Sequence, residues 1–99
     1  MNISNTQNQY ISILQRFKQE YGEEYGIERI GLFGSVARGE HTDNSDVDVV
    51  VEAPADLFLL VGMRLKLQEV FNKPVDLVRK SKYKRKAFMD RIEKEAIYV

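Results

Sequence analysis

Two aspartates spaced two apart, Asp46 and Asp48, lead into an almost unbroken row of valines from Val47 to Val51, and a third, Asp76, stands inside Val-Asp-Leu-Val. Carboxylates beside apolar neighbours are costly unless a cation meets them. Side chains at i and i+2 of a strand share a face, so Asp46 and Asp48 are expected to project together from the start of one strand. A neighbouring strand carrying Asp76 would bring a third carboxylate to them. Three converging carboxylates repel one another unless a divalent ion neutralises them. Oxygen donors without His or Cys suit Mg2+ or Mn2+, which combine few protein carboxylates with water and phosphate oxygens.

Gly34-Ser35 supplies a second half to such a site. A glycine at a strand end lets the backbone turn closely, and a following helical turn offers N–H groups to a phosphate. The Ser35 hydroxyl can add a donor or cap the helix instead, and Arg38 can meet phosphate or form a surface ion pair. A metal opposite a phosphate cradle describes a nucleoside triphosphate site. Two look-alikes fail. Gly34 to Gly39 has P-loop spacing, but Glu40-His41 replaces the lysine and hydroxyl residue that grip phosphate. Asp43, Asp46 and Asp48 lack the spacing and the turn glycine of an EF-hand. His41, the one histidine, sits among Thr42, Asp43 and Asn44 and reads as solvated.

These residues need a scaffold. Tyr10, Ile13, Leu14, Phe17 and Tyr21 recur at helical spacing, predicting a helix from Thr6 to Tyr21, with Gly22 and Gly26 at its end. Ile27 to Phe33 reads as a strand, and Val47 to Val51 as a strand covered on both faces. A helix starting near Asp56 runs to Phe71. The turn Asn72-Lys73-Pro74 leads to a strand over Val75 to Val78, and a last helix spans Lys84 to Ala96. The order predicts one α/β (α+β) domain over residues 1–99, with a small mixed β-sheet flanked by helices and a helical turn after Gly34.

Composition excludes several classes. The chain has 99 residues, enough for one core, and 15 basic against 15 acidic residues, so no global field draws it to nucleic acid or lipid. With no cysteine there is no disulfide and no thiolate site. The first fifteen residues lack the basic and apolar regions of a secretory signal, and the apolar run from Leu57 to Val70 is interrupted by charge and too short to span a bilayer. A cytoplasmic protein is expected.

Gly34-Ser35, ten residues, then Asp46-Val47-Asp48 resembles the signature of the polymerase-β-like nucleotidyltransferase superfamily, and Asp76 matches its third carboxylate. The short length, Ala37-Arg38-Gly39 and the ending RIEKEAIYV are similar to the minimal nucleotidyltransferases of bacteria and archaea. The resemblance implies a palm-like nucleotidyltransferase fold and transfer of a nucleoside monophosphate, with ATP as substrate and two Mg2+ ions as cofactors. It implies that Asp46, Asp48 and Asp76 are the catalytic, metal-binding residues, and that Gly34, Ser35 and Arg38 bind the nucleotide. It also implies a partner, an all-helical HEPN-domain ribonuclease toxin, which some members silence by adding AMP to a tyrosine. A purely binding antitoxin and an enzyme acting on a small molecule or an RNA end stand as alternatives.

Two further segments carry expectations. Lys80 to Lys86 is the one local basic run, a surface for phosphate, RNA or an acidic partner if it is more than a solvated helix start. The helix after Asp56 is apolar on more than one side, which suits a partner surface in preference to simple deep burial. About twenty residues follow the third strand, too few for the further helical domain that grips the base in larger relatives, which implies either loose base selection or a partner that completes the pocket.

Overall fold

The computed structural model describes residues 5–99; Met1 to Ser4, part of the stretch read for a leader, lie outside the described residues. Four helices and four strands alternate: α1 (Asn5–Tyr25), β1 (Arg29–Phe33), α2 (Gly34–Arg38), β2 (Val47–Glu52), α3 (Leu57–Phe71), β3 (Val75–Arg79), α4 (Lys86–Glu95) and β4 (Ile97–Tyr98). The sheet order is β3-β2-β1-β4. β1 runs antiparallel to β2 and to β4, and β2 runs parallel to β3. The mixed sheet and the helical turn after Gly34 are as expected.

β2 explains the valine row. Val47, Val49 and Val51 are buried in the main core with Leu14, Phe17, Met63 and Leu67, whereas Val50 faces the other way and packs with Phe33, Met89 and Ile92. The sheet is therefore sandwiched by α1 and α3 on one face and α4 on the other. A strand covered on both faces has no need of polar alternation. The one polar interruption is Asp48, on the α4 face two residues before Val50.

Helix α1 continues past Gly22, where the sequence pattern places its end. Tyr25 is buried, with its ring parallel to Phe17 at 6.2 Å. Burying such a side chain is worth about 1.5–3 kcal/mol, more than the ~1 kcal/mol cost of a helical glycine. The helix closes one turn later at Gly26, which has φ +66°, and the Ile27 N–H donates to the Gly22 carbonyl at 2.8 Å. Asp56 caps α3, its carboxylate accepting from the Phe58 and Leu59 N–H groups at 3.0 and 3.2 Å.

Other boundaries also differ. The last helix starts at Lys86 rather than Lys84 and ends at Glu95, because Ile97 and Tyr98 form an extra strand against Gly31 and Leu32. Gly31 permits that pairing: a Cβ there would stand 2.8 Å from the Ile97 carbonyl oxygen. The Arg29 guanidinium covers the Tyr98 ring at 3.7 Å, and the Tyr98 hydroxyl donates to Glu93 at 2.6 Å. Among the described residues, no helix is long and apolar enough to cross a membrane.

Candidate active site

The β-register sets the acids. Phe33 of β1, Asp48 of β2 and Asp76 of β3 occupy one row across three strands, so Asp48 and Asp76 are side by side on one face of the sheet. Asp46 lies just before β2 rather than within it, so the expected strand alternation does not place it. A turn does so instead. Ser45 Oγ accepts from the Thr42 N–H at 2.9 Å, the Ser45 N–H donates to the Thr42 carbonyl at 3.0 Å, and the Lys73 ammonium donates to the Asp43 carbonyl. The start of β3 is fixed from α3: the Val75 N–H donates to Gln68 Oε1 at 3.1 Å, and Arg64 Nε donates to the Val75 carbonyl at 3.0 Å.

Asp48 is half-buried, whereas Asp46 and Asp76 are exposed. Burial first, then the charges of Asp76 and Asp46, pushes the Asp48 carboxyl above its ordinary pKa of 3.8; Arg38 opposes this and Glu95 adds to it. The three acids thus form one electrostatic group. Among the described residues, no set of three or more His, Cys, Asp or Glu side chains is already gathered to hold an ion. The donor chemistry fits a hard divalent cation all the same. The acids nearest Asp48 offer oxygen donors only, and the repulsion they exert on Asp48 is what such a cation relieves.

Gly34 joins this acid group to the turn that carries Ser35. Its φ is +71°, and a Cβ added to it would stand 2.1 Å from Asp48 Oδ2. Both the backbone conformation and the proximity of the carboxylate demand glycine. α2 then runs from Gly34 to Arg38 and stops at Gly39, also at φ +71°. Its N-cap is Phe33, with no side-chain cap, so Ser35 does not fill the capping role. Ser35 is half-buried and its hydroxyl makes no hydrogen bond within the described residues, which leaves it available to a ligand.

Two residues that local patterns did not single out complete the frame. Gln7 of α1 is 2% exposed, and its amide donates to the Val36 and Ala37 carbonyls at 2.8 and 3.0 Å. A buried glutamine thereby satisfies the carbonyl end of a five-residue helix. Glu95, the last residue of α4, accepts the Gly34 N–H at 2.8 Å and approaches Arg38 Nη1 through both oxygens at 3.2 and 3.4 Å. Gly34's N–H, expected to be open to phosphate, is therefore occupied. Arg38 also meets Glu40 at 3.4 Å, and its bonds to Glu95 and Glu40 strengthen its hold on its proton. The contacts of Gln7 and Glu95 span 29 to 61 positions of sequence, so no local spacing announces them.

Three other expectations meet the structure nearby. His41 is not simply solvated: its ring lies 5.4 Å from that of Tyr10, and Nδ1 is buried without a hydrogen-bond partner among the described residues. The basic run lies mostly in a turn and edges a cavity of about 480 Å3 lined by Lys80, Lys82, Lys84 and Lys86. Lys80 there pairs with Glu93 at 3.0 Å and Lys86 with Asp90 at 2.7 Å. α3 buries Met63, Leu67 and Phe71 and leaves Leu57, Phe58, Val61 and Leu65 exposed, with Phe58 at 91%.

Comparison with known proteins agrees with this arrangement. Residues 12–99 match the nucleotidyltransferase domain family. The chain is 37% identical to the protein adenylyltransferase MntA of Thermococcus cleftensis, over 89% of this chain and 90% of that one. A solved structure provisionally named a minimal nucleotidyltransferase superposes with a TM-score of 0.72 at 25% identity, covering 98% of this chain and 95% of the other. Two more distant structures share the fold over 93% of this chain. One is a toxin–antitoxin with AMP-PNP, with a TM-score of 0.65 at 24% identity over 70% of that chain. The other is the tri-AMPylated HEPN toxin of Shewanella oneidensis in complex with its MNT antitoxin, with a TM-score of 0.56 at 20% identity over 66% of that chain. A glycine-serine turn against paired strand aspartates, on a chain matched along most of its length, makes this protein a member of the nucleotidyltransferase domain family.

Proposed function

We propose that the chain transfers AMP from ATP to a tyrosine hydroxyl of a HEPN-type toxin and so acts as its antitoxin. The observation that carries this reading is the juxtaposition of Gly34 with Asp48 and of Asp48 with Asp76, on a chain more than one third identical to a protein adenylyltransferase. Ser35, the Gly34 backbone and Arg38 hold the β- and γ-phosphates, and Asp46, Asp48 and Asp76 form the acidic side.

The chemistry is an in-line displacement. The tyrosine oxygen bonds to the α-phosphorus, the bridging bond to the β-phosphate breaks, and pyrophosphate leaves. A phenol has a reference pKa of about 10, so the attacking hydroxyl must be helped at neutral pH. Asp76, exposed beside Asp48, would receive its proton. Divalent ions bound by the three aspartates would lower the phenol's pKa and neutralise the departing pyrophosphate. The protein itself contributes mainly positioning and charge.

The exposed stripe of α3, from Leu57 and Phe58 through Val61 to Leu65, supports a helical partner. It also favours a second reading, neutralisation by contact alone. One experiment separates the two. The double variant Asp46→Asn with Asp48→Asn is incubated with ATP, Mg2+ and the toxin and expressed beside it in cells. Transfer predicts loss of the AMP mass and of protection. Full protection without AMP would leave contact alone, and label from ATP on RNA or a small molecule but never on protein would reassign the acceptor.

A further inference from the structure

Glu95 stands where the phosphate donors converge. Its Oε1 accepts the Gly34 N–H at 2.8 Å, while Arg38 Nη1 lies 3.2 Å from Oε2 and 3.4 Å from Oε1. A carboxylate and a terminal phosphate present the same feature to such donors, a fork of anionic oxygens. The arginine contact is long for a charge-assisted bond, which centres on about 2.7–2.9 Å, and the Arg38 side chain is 45% exposed. Such a pair is weakly held and can be exchanged for a better anion. Glu95 also adds a negative charge to a site already carrying Asp46, Asp48 and Asp76, and Asp48 feels that charge.

We infer that the Glu95 carboxylate is a placeholder for the terminal phosphates of the nucleotide: it keeps Arg38 and the Gly34 N–H in place before binding and is displaced when a triphosphate enters. The inference rests on the reading of Gly34, Ser35 and Arg38 as phosphate-binding residues. It makes Glu95 a positioning residue that sets affinity for the polyphosphate tail rather than a catalytic one. The alternative role, a brace that nucleotide binding requires, predicts the opposite sign.

The test is Glu95→Gln in the full chain, titrated with Mg·ATP, with Mg·tripolyphosphate and with AMP. The amide removes the competing charge and leaves an oxygen for the Gly34 N–H. Affinity for ATP and tripolyphosphate rises about two- to fivefold, the scale of a half-exposed ion pair, affinity for AMP stays level, and KM for ATP falls without a rise in kcat. Weaker or unchanged tripolyphosphate binding overturns the inference. Should the variant fold poorly, the wild-type chain gives the answer through the Gly34 amide resonance, which must move on tripolyphosphate addition; a stationary resonance overturns it as well. Ser35→Ala separates the two layers. If it loses ATP affinity while Glu95→Gln gains none, the phosphate site stands and the placeholder falls; if wild type binds neither ligand, both fall.

Discussion

The carboxylate of Asp48 fills the space that a side chain at residue 34 would take, with Oδ2 2.1 Å from the position of a Cβ on Gly34. The turn that presents Ser35 and the strand that presents Asp48 therefore meet atom to atom, with no linker or intervening side chain between them. Gly34→Ala is expected to cost about 1–2 kcal/mol for the positive φ alone and to push Asp48 out of line with Asp76. Transfer activity should fall far more than stability, measured as AMP incorporation against the thermal midpoint of the same variant. A fully active alanine variant would contradict the contact.

The acid group sets a pH dependence whose sign follows from Asp48. Burial and the neighbouring carboxylates raise its folded pKa above the ordinary 3.8, so the folded chain holds this proton more tightly than the unfolded chain. This contribution to stability is fully present below the unfolded value and is lost as pH rises through the raised folded value. Asp48→Asn in metal-free buffer should therefore raise Tm by a few degrees at pH 7, with the gain shrinking near pH 4, while abolishing transfer. Circular dichroism melts across that pH range with EDTA present check it.

Gln7 offers a test away from the acids. Replacing it with leucine leaves the Val36 and Ala37 carbonyls without its amide donor. The expected loss is about 2–3 kcal/mol, in the range for buried polar groups deprived of a partner. Urea denaturation reads the stability. A weakened α2 should also lower ATP affinity in the fraction that remains folded.

The α3 stripe predicts a surface effect. Phe58 is almost fully exposed, so Phe58→Glu should leave the unfolding free energy within about 0.5 kcal/mol of wild type. It should nevertheless reduce co-purification with the proposed HEPN-domain partner strongly. A charged residue at a true anchor position removes apolar contact and leaves a charge to desolvate.

Much of this was readable before any coordinates. The valine row demanded a strand buried on both faces, Asp56 a helix start, and Gly34 a tight turn beside acids, because each is a local consequence of one residue type in one pattern. What escaped were effects of distant partners. Gly22 reads locally as a stop, but the packing of Tyr25 on Phe17 carries the helix past it. The two-residue β4 has no signal of its own and exists because Gly31 leaves room for it. His41 looked solvated because its polar neighbours in sequence are not its neighbours in space. Gln7 and Glu95 are an unremarkable helix residue and one of several glutamates until the fold carries them to α2 and Gly34.

The three aspartates are also anchored with unequal strength. Asp48 sits in β2, paired on one edge with β1 and on the other with β3, so its amide should exchange with deuterium only on a timescale close to that of global opening. Asp46 is carried by a small exposed turn tied through Thr42, Ser45 and Lys73, the kind of segment that opens far more cheaply. In the proposed site, fraying of that turn would withdraw Asp46 and return it while Asp48 stays fixed, so an ion's residence time would be governed at residue 46.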